Sequence, residues 1–358
     1  MAIIDKPIDY FNSKIYTGNS SSQTLSMANI GLAWFKSRSD SGGHLLIDIM
    51  RGGNGTNSQE PILKADQSGK DQGSDITAAG GLVFGSSSTS VGTDNGGYNY
   101  NQNGKSYVNW HWQAGTSFSN SAGANGASIA STGNFNNTSG FSTVLYTGTG
   151  TAGTIKHGMN TAPAMIIAKR TNASEDWAVY HQSLGASKYI NLNTTNALDS
   201  STSRWNGVEP TSSVFSVNTH AAINASSSIY IAYCFAEKPS YSKMSTYIGN
   251  GNVNGPFVFC GFKPSFIIGK RTDSSGGWWI VDSKRPGFNL TDEYLTPNNS
   301  DAERDDGSFS YDFLANGFKC RYNNSNYNGS GGTYLYMAFA ENPFVTSTDN
   351  DSIPTTAR

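Results

Sequence analysis

"AMIIAKRTNASEDWAVY", Ala164–Tyr180, and "SFIIGKRTDSSGGWWIV", Ser265–Val281, state one pattern twice. An apolar run ends in Lys-Arg, a short polar stretch follows, and tryptophan opens a second apolar run. The runs are rich in Ile, Val, Tyr and Trp, which pack well on a pleated surface, and they are too short for a typical helix. Each block therefore reads as a β-hairpin. Its loop exceeds two residues, so the sequence does not fix the turn type.

Outward from this hairpin the chain repeats itself. Lys169-Arg170 returns as Lys270-Arg271, 101 residues on, and "YTGTG" at Tyr146–Gly150 returns as "YIGNG" at Tyr247–Gly251 with the same offset. "YIAYCFAEKP" at Tyr230–Pro239 returns as "YLYMAFAENP" at Tyr334–Pro343, offset by 104. A weaker copy precedes both. It holds "YTGN" at Tyr16–Asn19, "LAWFKSRSDSGGHLLIDIMR" at Leu32–Arg51 and "YVNWHWQAG" at Tyr107–Gly115. The organisation expected is copy one within 1–115, a Gly/Ser/Asn-rich linker or extra strands at 116–140, copy two at 141–240, copy three at 241–344 and a loosely held tail at 345–358. Solenoid units of about 20–50 residues need neighbours to bury their core. A unit of about 100 residues can bury its own, so three tandem domains are expected.

In "YIAYCFAEKP", Tyr230, Ala232, Cys234 and Ala236 point one way and Ile231, Tyr233 and Phe235 the other. Both sets are apolar or aromatic, as in a strand covered on two sides. Asn- and Gly-rich groups separate the runs, and no sustained helical period occurs. The fold class expected is all-β, with an antiparallel sandwich or jelly-roll of six to eight strands in each domain.

Charged residues make up 14% of the chain and the formal net charge is -2. Lys and Arg occur singly or in pairs, which argues against a general nucleic-acid-binding face. No apolar stretch is long enough to span a membrane, and the first residues lack the apolar core of a signal peptide. Cys234, Cys260 and Cys320 cannot all pair within one chain. They read as reduced, mostly buried thiols, with a Cys260–Cys320 bridge as the alternative.

The candidate ligand residues are Trp177 with Arg170 and Asp176, and Trp278 or Trp279 with Arg271 and Asp273. A tryptophan stacked on a sugar ring beside groups that bond its hydroxyls is the mixture that ligand sites use. The competing reading makes the first tryptophan a packing residue. Copy one favours packing, because His44 or Leu45 stands at the aligned place. Trp278 and Trp279 face opposite sides of their strand, so one of them is expected to face outward. Cys234 aligns with His111 and Ala338, which marks a small buried side chain. Asp282 and Glu341 are the nearest thing to a glycosidase pair, but copy two has Tyr180 or His181 near the first position. The five histidines lack zinc-site spacing, and "DAERDD" and "NLTDE" do not match a calcium loop. No catalytic residue, metal or cofactor is expected.

The blocks "DYFNSKIYTGN", "GLAWFKSRS", "FSTVLYTGTGTAGTIKHGMNTAPAMIIAKR", "YIAYCFAE", "GPFVFCGFKPSFIIGKRTD", "WWIVDSKR" and "GGTYLYMAFAENPF" resemble a family of repeat domains in tail-fibre and related virion proteins of tailed bacteriophages. The resemblance spans nearly the whole chain. It implies concanavalin-like β-sandwiches in a virion protein, assembled in the bacterial cytoplasm and commonly homotrimeric. It further implies partners among other virion proteins and a bacterial surface glycan or receptor. The leading expectation is host attachment without catalysis. The alternatives are a structural adaptor or capsid-decoration protein, and a polysaccharide depolymerase. Copy one departs most, through the glycine-rich insertion around "RGGNGTNSQE".

Overall fold

The computed structural model describes residues 3–52, 61–71, 81–94, 97–305 and 307–344. Most of the "RGGNGTNSQE" insertion and the stretch 345–358 lie outside the described residues. Copy one contributes β1 (Phe11–Thr17), β2 (Gln23–Leu25), β3 (Ile30–Ser37), β4 (Leu45–Asp48), β5 (Leu63–Lys64), β6 (Leu82–Phe84), β7 (Thr89–Val91) and β8 (Ser106–Gln113). The segment read as linker or extra strands forms β9 (Thr116–Asn120) and β10 (Ser131–Asn136). Copy two follows with β11 (Phe141–Thr147), β12 (Gly153–Lys156), β13 (Met165–Arg170), β14 (Ala178–His181), β15 (Lys188–Asn191), β16 (Asp199–Ser200), β17 (Val214–Val217), α1 (Ala221–Asn224) and β18 (Ile229–Phe235). Copy three has β19 (Ser242–Ile248), β20 (Phe257–Phe259), β21 (Phe262–Arg271), β22 (Trp278–Asp282), β23 (Tyr311–Leu314), β24 (Gly317–Cys320), α2 (Ser325–Asn328) and β25 (Thr333–Pro343).

The strands pair antiparallel, and each copy builds its main sheet in one order: first strand, last strand, then the hairpin. The orders are β1-β8-β3-β4-β5, β11-β18-β13-β14 within a longer sheet, and β19-β25-β21-β22. A small sheet, β2-β7-β6, β12-β17 or β20-β24-β23, belongs to each copy. Between main and small sheet lies a private core. In copy two it holds Val144, Ile166, Phe215, Tyr230, Ala232 and Cys234. Private cores of the same placement occupy copies one and three.

The other face of each main sheet is also apolar, and here the structure departs from three self-sufficient domains. Leu32, Trp34 and Trp110 of copy one, Ile167, Trp177 and Tyr233 of copy two, and Ile268, Trp278 and Met337 of copy three share one central core. The equivalent residues Trp112, Phe235 and Phe339 mark its axis. Their ring centroids stand 5.6, 5.7 and 6.1 Å apart, a nearly equilateral triangle. The three copies thus surround a pseudo-threefold axis. The alternation in "YIAYCFAE" has this cause: Tyr230, Ala232 and Cys234 serve the private core, and Ile231, Tyr233 and Phe235 the shared one. An apolar sheet face left to water would forfeit about 25 cal/mol per Å², and neighbouring copies supply the cover.

The local scaffold is also repeated. Tyr16–Tyr107, Tyr146–Tyr230 and Tyr247–Tyr334 are stacked cross-strand pairs, with centroids 5.1, 5.2 and 5.1 Å apart. Beside each pair lies a fully buried asparagine. Asn224 donates to the carbonyls of Thr151 and Asn218 and accepts the Thr149 N–H. Asn101 and Asn328 tie the same segments in the other copies. The glycine of "YTG" and "YIG" is required by close approach. A Cβ at Gly18, Gly148 or Gly249 would stand 2.2, 2.4 or 2.4 Å from a backbone carbonyl oxygen.

Candidate functional site

The Lys-Arg-turn-Trp hairpins lie where copies meet. Lys36, Lys169 and Lys270 occupy one position, and so do His44, Trp177 and Trp278, as the strand registers show. The Trp177 indole N–H donates to the Lys64 carbonyl of copy one at 3.0 Å, and the Trp278 indole N–H to the Asn191 carbonyl of copy two at 2.9 Å. His44 accepts the Trp34 indole N–H and faces the Thr296 carbonyl of copy three. Each copy therefore reaches the next in the same rotational sense. Trp177 and Trp278 are fully buried in the shared core.

Trp279 is buried too, in the private core of copy three against Phe309 and Tyr311. The expectation that one of Trp278 and Trp279 faces outward is therefore corrected. Both sheet faces are covered, so alternation along the strand leaves neither indole as an open sugar platform. Gly269 makes the room, since a Cβ there would meet the Trp279 ring at 2.2 Å. Copy two fills the equivalent pair with Ala168 and Ala178, and copy one with Phe35 and Leu45. Trp279 borders a crevice of about 30 Å³ with Tyr294, Phe309 and Asn326, room for little more than water.

The polar residues of the hairpins clasp backbone. Arg271 donates to both carboxylate oxygens of Asp273 at 3.1 and 3.0 Å and to the Ser325 carbonyl at 3.2 Å. Asp273 accepts the Thr333 N–H that opens β25. Arg170 bonds Asn172, whose amide oxygen accepts the Ile229 N–H that opens β18. The pairs thus hold the hairpin loop to the last strand.

Lys169 donates to the carbonyls of Ser68, Arg170 and Glu175 at 3.0, 3.0 and 2.9 Å, joining its own loop to copy one. Lys270 likewise reaches Thr195 of copy two. Burial lowers the Lys36, Lys169 and Lys270 ammoniums from 10.5 to about 8. Between those values the unfolded chain keeps a proton that the folded chain has released, so this contribution makes stability rise with pH across the window. The stability difference between wild type and Lys169→Met is expected to grow by about 1 kcal/mol from pH 7 to pH 9. Denaturant titrations at the two pH values measure it, and a flat difference would show that the ammonium is solvated.

The groups nominated for catalysis also serve the framework. Asp282 is fully buried, bridged to Arg285 at 2.7 Å, and accepts the Trp110 indole N–H at 2.9 Å. Asp48 repeats this with Arg51 at 2.7 Å and the Tyr233 hydroxyl at 2.8 Å. In copy two His181 takes the place and donates from Nε2 to the Tyr336 carbonyl at 3.2 Å. Glu341 pairs with Lys263 at 3.5 Å and Glu237 with Lys243 at 3.2 Å. Glu293 and Glu303 of the acidic loops bind Arg38 of copy one, and Glu303 also binds Arg285. Burial lowers His111 to about 3 and His157 and His181 to about 4. The three cysteines are free and buried, with thiols pushed up to about 12. Among the described residues no group of three or more His, Cys, Asp or Glu is placed to hold a metal ion, and no helix is long and apolar enough to cross a membrane.

A larger opening lies where none of the candidates pointed. β9 and β10, with β11 and Ile229, border a depression of about 380 Å³. Phe118 and Phe135 are the single large apolar residues of β9 and β10. Both rings pack against the private core of copy two, and Phe118 covers Gly133.

No curated protein and no solved structure matches the chain. One family model matches residues 6–343, described as a domain of unknown function, DUF7483. The match spans all three copies, and the chain belongs to that family.

Proposed function

We propose that this chain is a non-catalytic virion protein of a tailed bacteriophage that attaches to a bacterial surface glycan or receptor. Its three copies would be jelly-roll or concanavalin-like sandwiches. The observation that carries the reading is how the charged groups are used. Asp282, Asp48, His181, Glu303, Lys169 and Lys270 all bond across copy boundaries, and Lys36 ties the Ser37 and Asp40 carbonyls of its own copy. The interior is committed to holding a rigid body together, and the outer surface is left to loops rich in Asn, Ser, Thr and Gly. Such a body presents short polar side chains on a stiff frame, which suits recognition of hydroxylated ligands. The virion location and the homotrimer come from the family resemblance. A homotrimer would here be three pseudo-threefold bodies, because one chain already encloses the inner sheet faces.

The purified protein is expected to bind intact bacteria of a susceptible strain, and to leave isolated surface polysaccharide at its original chain length. Absence of binding across cells and envelope extracts would favour the structural adaptor or decoration role. Shortening of the polysaccharide would favour the depolymerase.

A further inference from the structure

We infer that the depression beside β9 and β10 is a binding site for an uncharged saccharide. The internal repeat supplies the control. β1 and β19, the counterparts of β11, are the margins of their sheets, whereas β11 carries two further strands. The scaffold is common to all three copies, and this addition belongs to copy two alone.

The added strands form one wall of the depression of about 380 Å³, within the size range of small-ligand sites. Leu145 and Ile229 give it an apolar floor, and Ser119, Ser121, Thr132 and Thr147 surround them with hydroxyls. Thr132 lies directly across from both Ser119 and Leu145, and Thr147 across from Ile229. The two rows belong to one sheet face and stand two residues apart, about 7 Å, the scale of a single sugar ring. Ile229 is 41% exposed, an apolar surface left to water in the middle of a polar rim.

The chemistry of the wall selects the ligand. Among the described residues no charged side chain lines the depression, so none of them would neutralise a uronate, sialate or phosphate brought out of water. Serine and threonine hydroxyls both donate and accept, as sugar hydroxyls do. The C–H face of a pyranose is the surface that fits Leu145 and Ile229. The Tyr146 hydroxyl takes no part, because it donates inward to the Ile223 carbonyl at 2.7 Å.

This inference rests on the reading of the chain as a surface-glycan binder, and the test separates the two. An array of neutral and acidic oligosaccharides, together with whole cells, is probed with the full chain and with Ser119→Trp, Thr132→Trp and Ile248→Trp. Ser119 and Thr132 are exposed, so a bulky ring there fills the depression without entering the core. Ile248 is the exposed counterpart of Thr147 in copy three and serves as the control. Wild type and Ile248→Trp are expected to bind a neutral oligosaccharide. The two filling variants are expected to lose at least tenfold in affinity with unchanged melting.

Full binding by both filling variants would overturn the site and leave the attachment reading standing. Binding of acidic glycans only would overturn the ligand class. Cell binding lost after protease treatment of the envelope but not after periodate oxidation would make the receptor a protein and sink the inference. Failure of wild type on both array and cells would sink the attachment reading as well.

Discussion

Trp177→Ala is expected to lower the stability of the whole chain by about 3–5 kcal/mol, as full truncation of a buried tryptophan does. The ring is fully buried in the core shared by the three copies, and near-parallel to Tyr233 at 6.4 Å. Its indole N–H satisfies the Lys64 carbonyl of copy one, so truncation also leaves a buried acceptor without its partner. The loss should fall on all three copies together, because the cavity opens in their common core. Denaturant unfolding followed by tryptophan fluorescence and by far-UV circular dichroism should therefore shift as one coincident transition. Separate transitions in which only copy two weakens would contradict a shared core. Unchanged melting with lost cell binding would return the ring to the role of sugar platform.

The second large effect is expected at Asp282, where alanine should cost about 3–5 kcal/mol. Asp282 and Arg285 are both fully buried, 2.7 Å apart. The carboxylate also receives the Trp110 indole N–H from copy one and the backbone N–H groups of Lys284 and Arg285. Its removal strands a buried guanidinium whose remaining partners are Glu303 and the Ile280 carbonyl. Replacing both members by apolar residues of similar volume is often far less harmful than removing one. The double variant Asp282→Ala with Arg285→Met should accordingly recover part of the loss. Equilibrium unfolding of the three variants measures this. A single-variant loss under about 1 kcal/mol would mean that water reaches the pair and that it does not hold copies one and three together.

Much of this architecture was legible in the residues. The hairpin, the repeat and the two apolar faces of the closing strand follow from run length and alternation. The match of "LLIDIMR" to "WWIVDSKR" placed Asp48 with Asp282 and Arg51 with Arg285, but the ion pairs they form, and their partners across the copies, are visible only in the structure. What covers a second apolar face is a long-range question. A period-two pattern says that a face is buried, and is silent on whether by the same copy or another. For that reason one of the two copy-three tryptophans was expected outside, when Trp278 serves the shared core and Trp279 the private one. The candidate site was less legible. Ser, Thr and Asn fill every loop of this chain, so the few that border the depression carry no mark in the sequence. Only their placement around β9, β10 and the end of β11 distinguishes them.

The ring of three copies has a consequence for biosynthesis. Phe11, near the start of copy one, stacks at 4.9 Å on Phe339, near the end of copy three. A nascent chain holding copies one and two has the inner faces of two sheets formed and nothing to close them. Until the last strand of copy three emerges, those aromatic surfaces face the ribosome's surroundings, where exposed apolar surface invites aggregation. Closure of the ring thus waits for the last strand of copy three, and until then the inner faces need protection from aggregation.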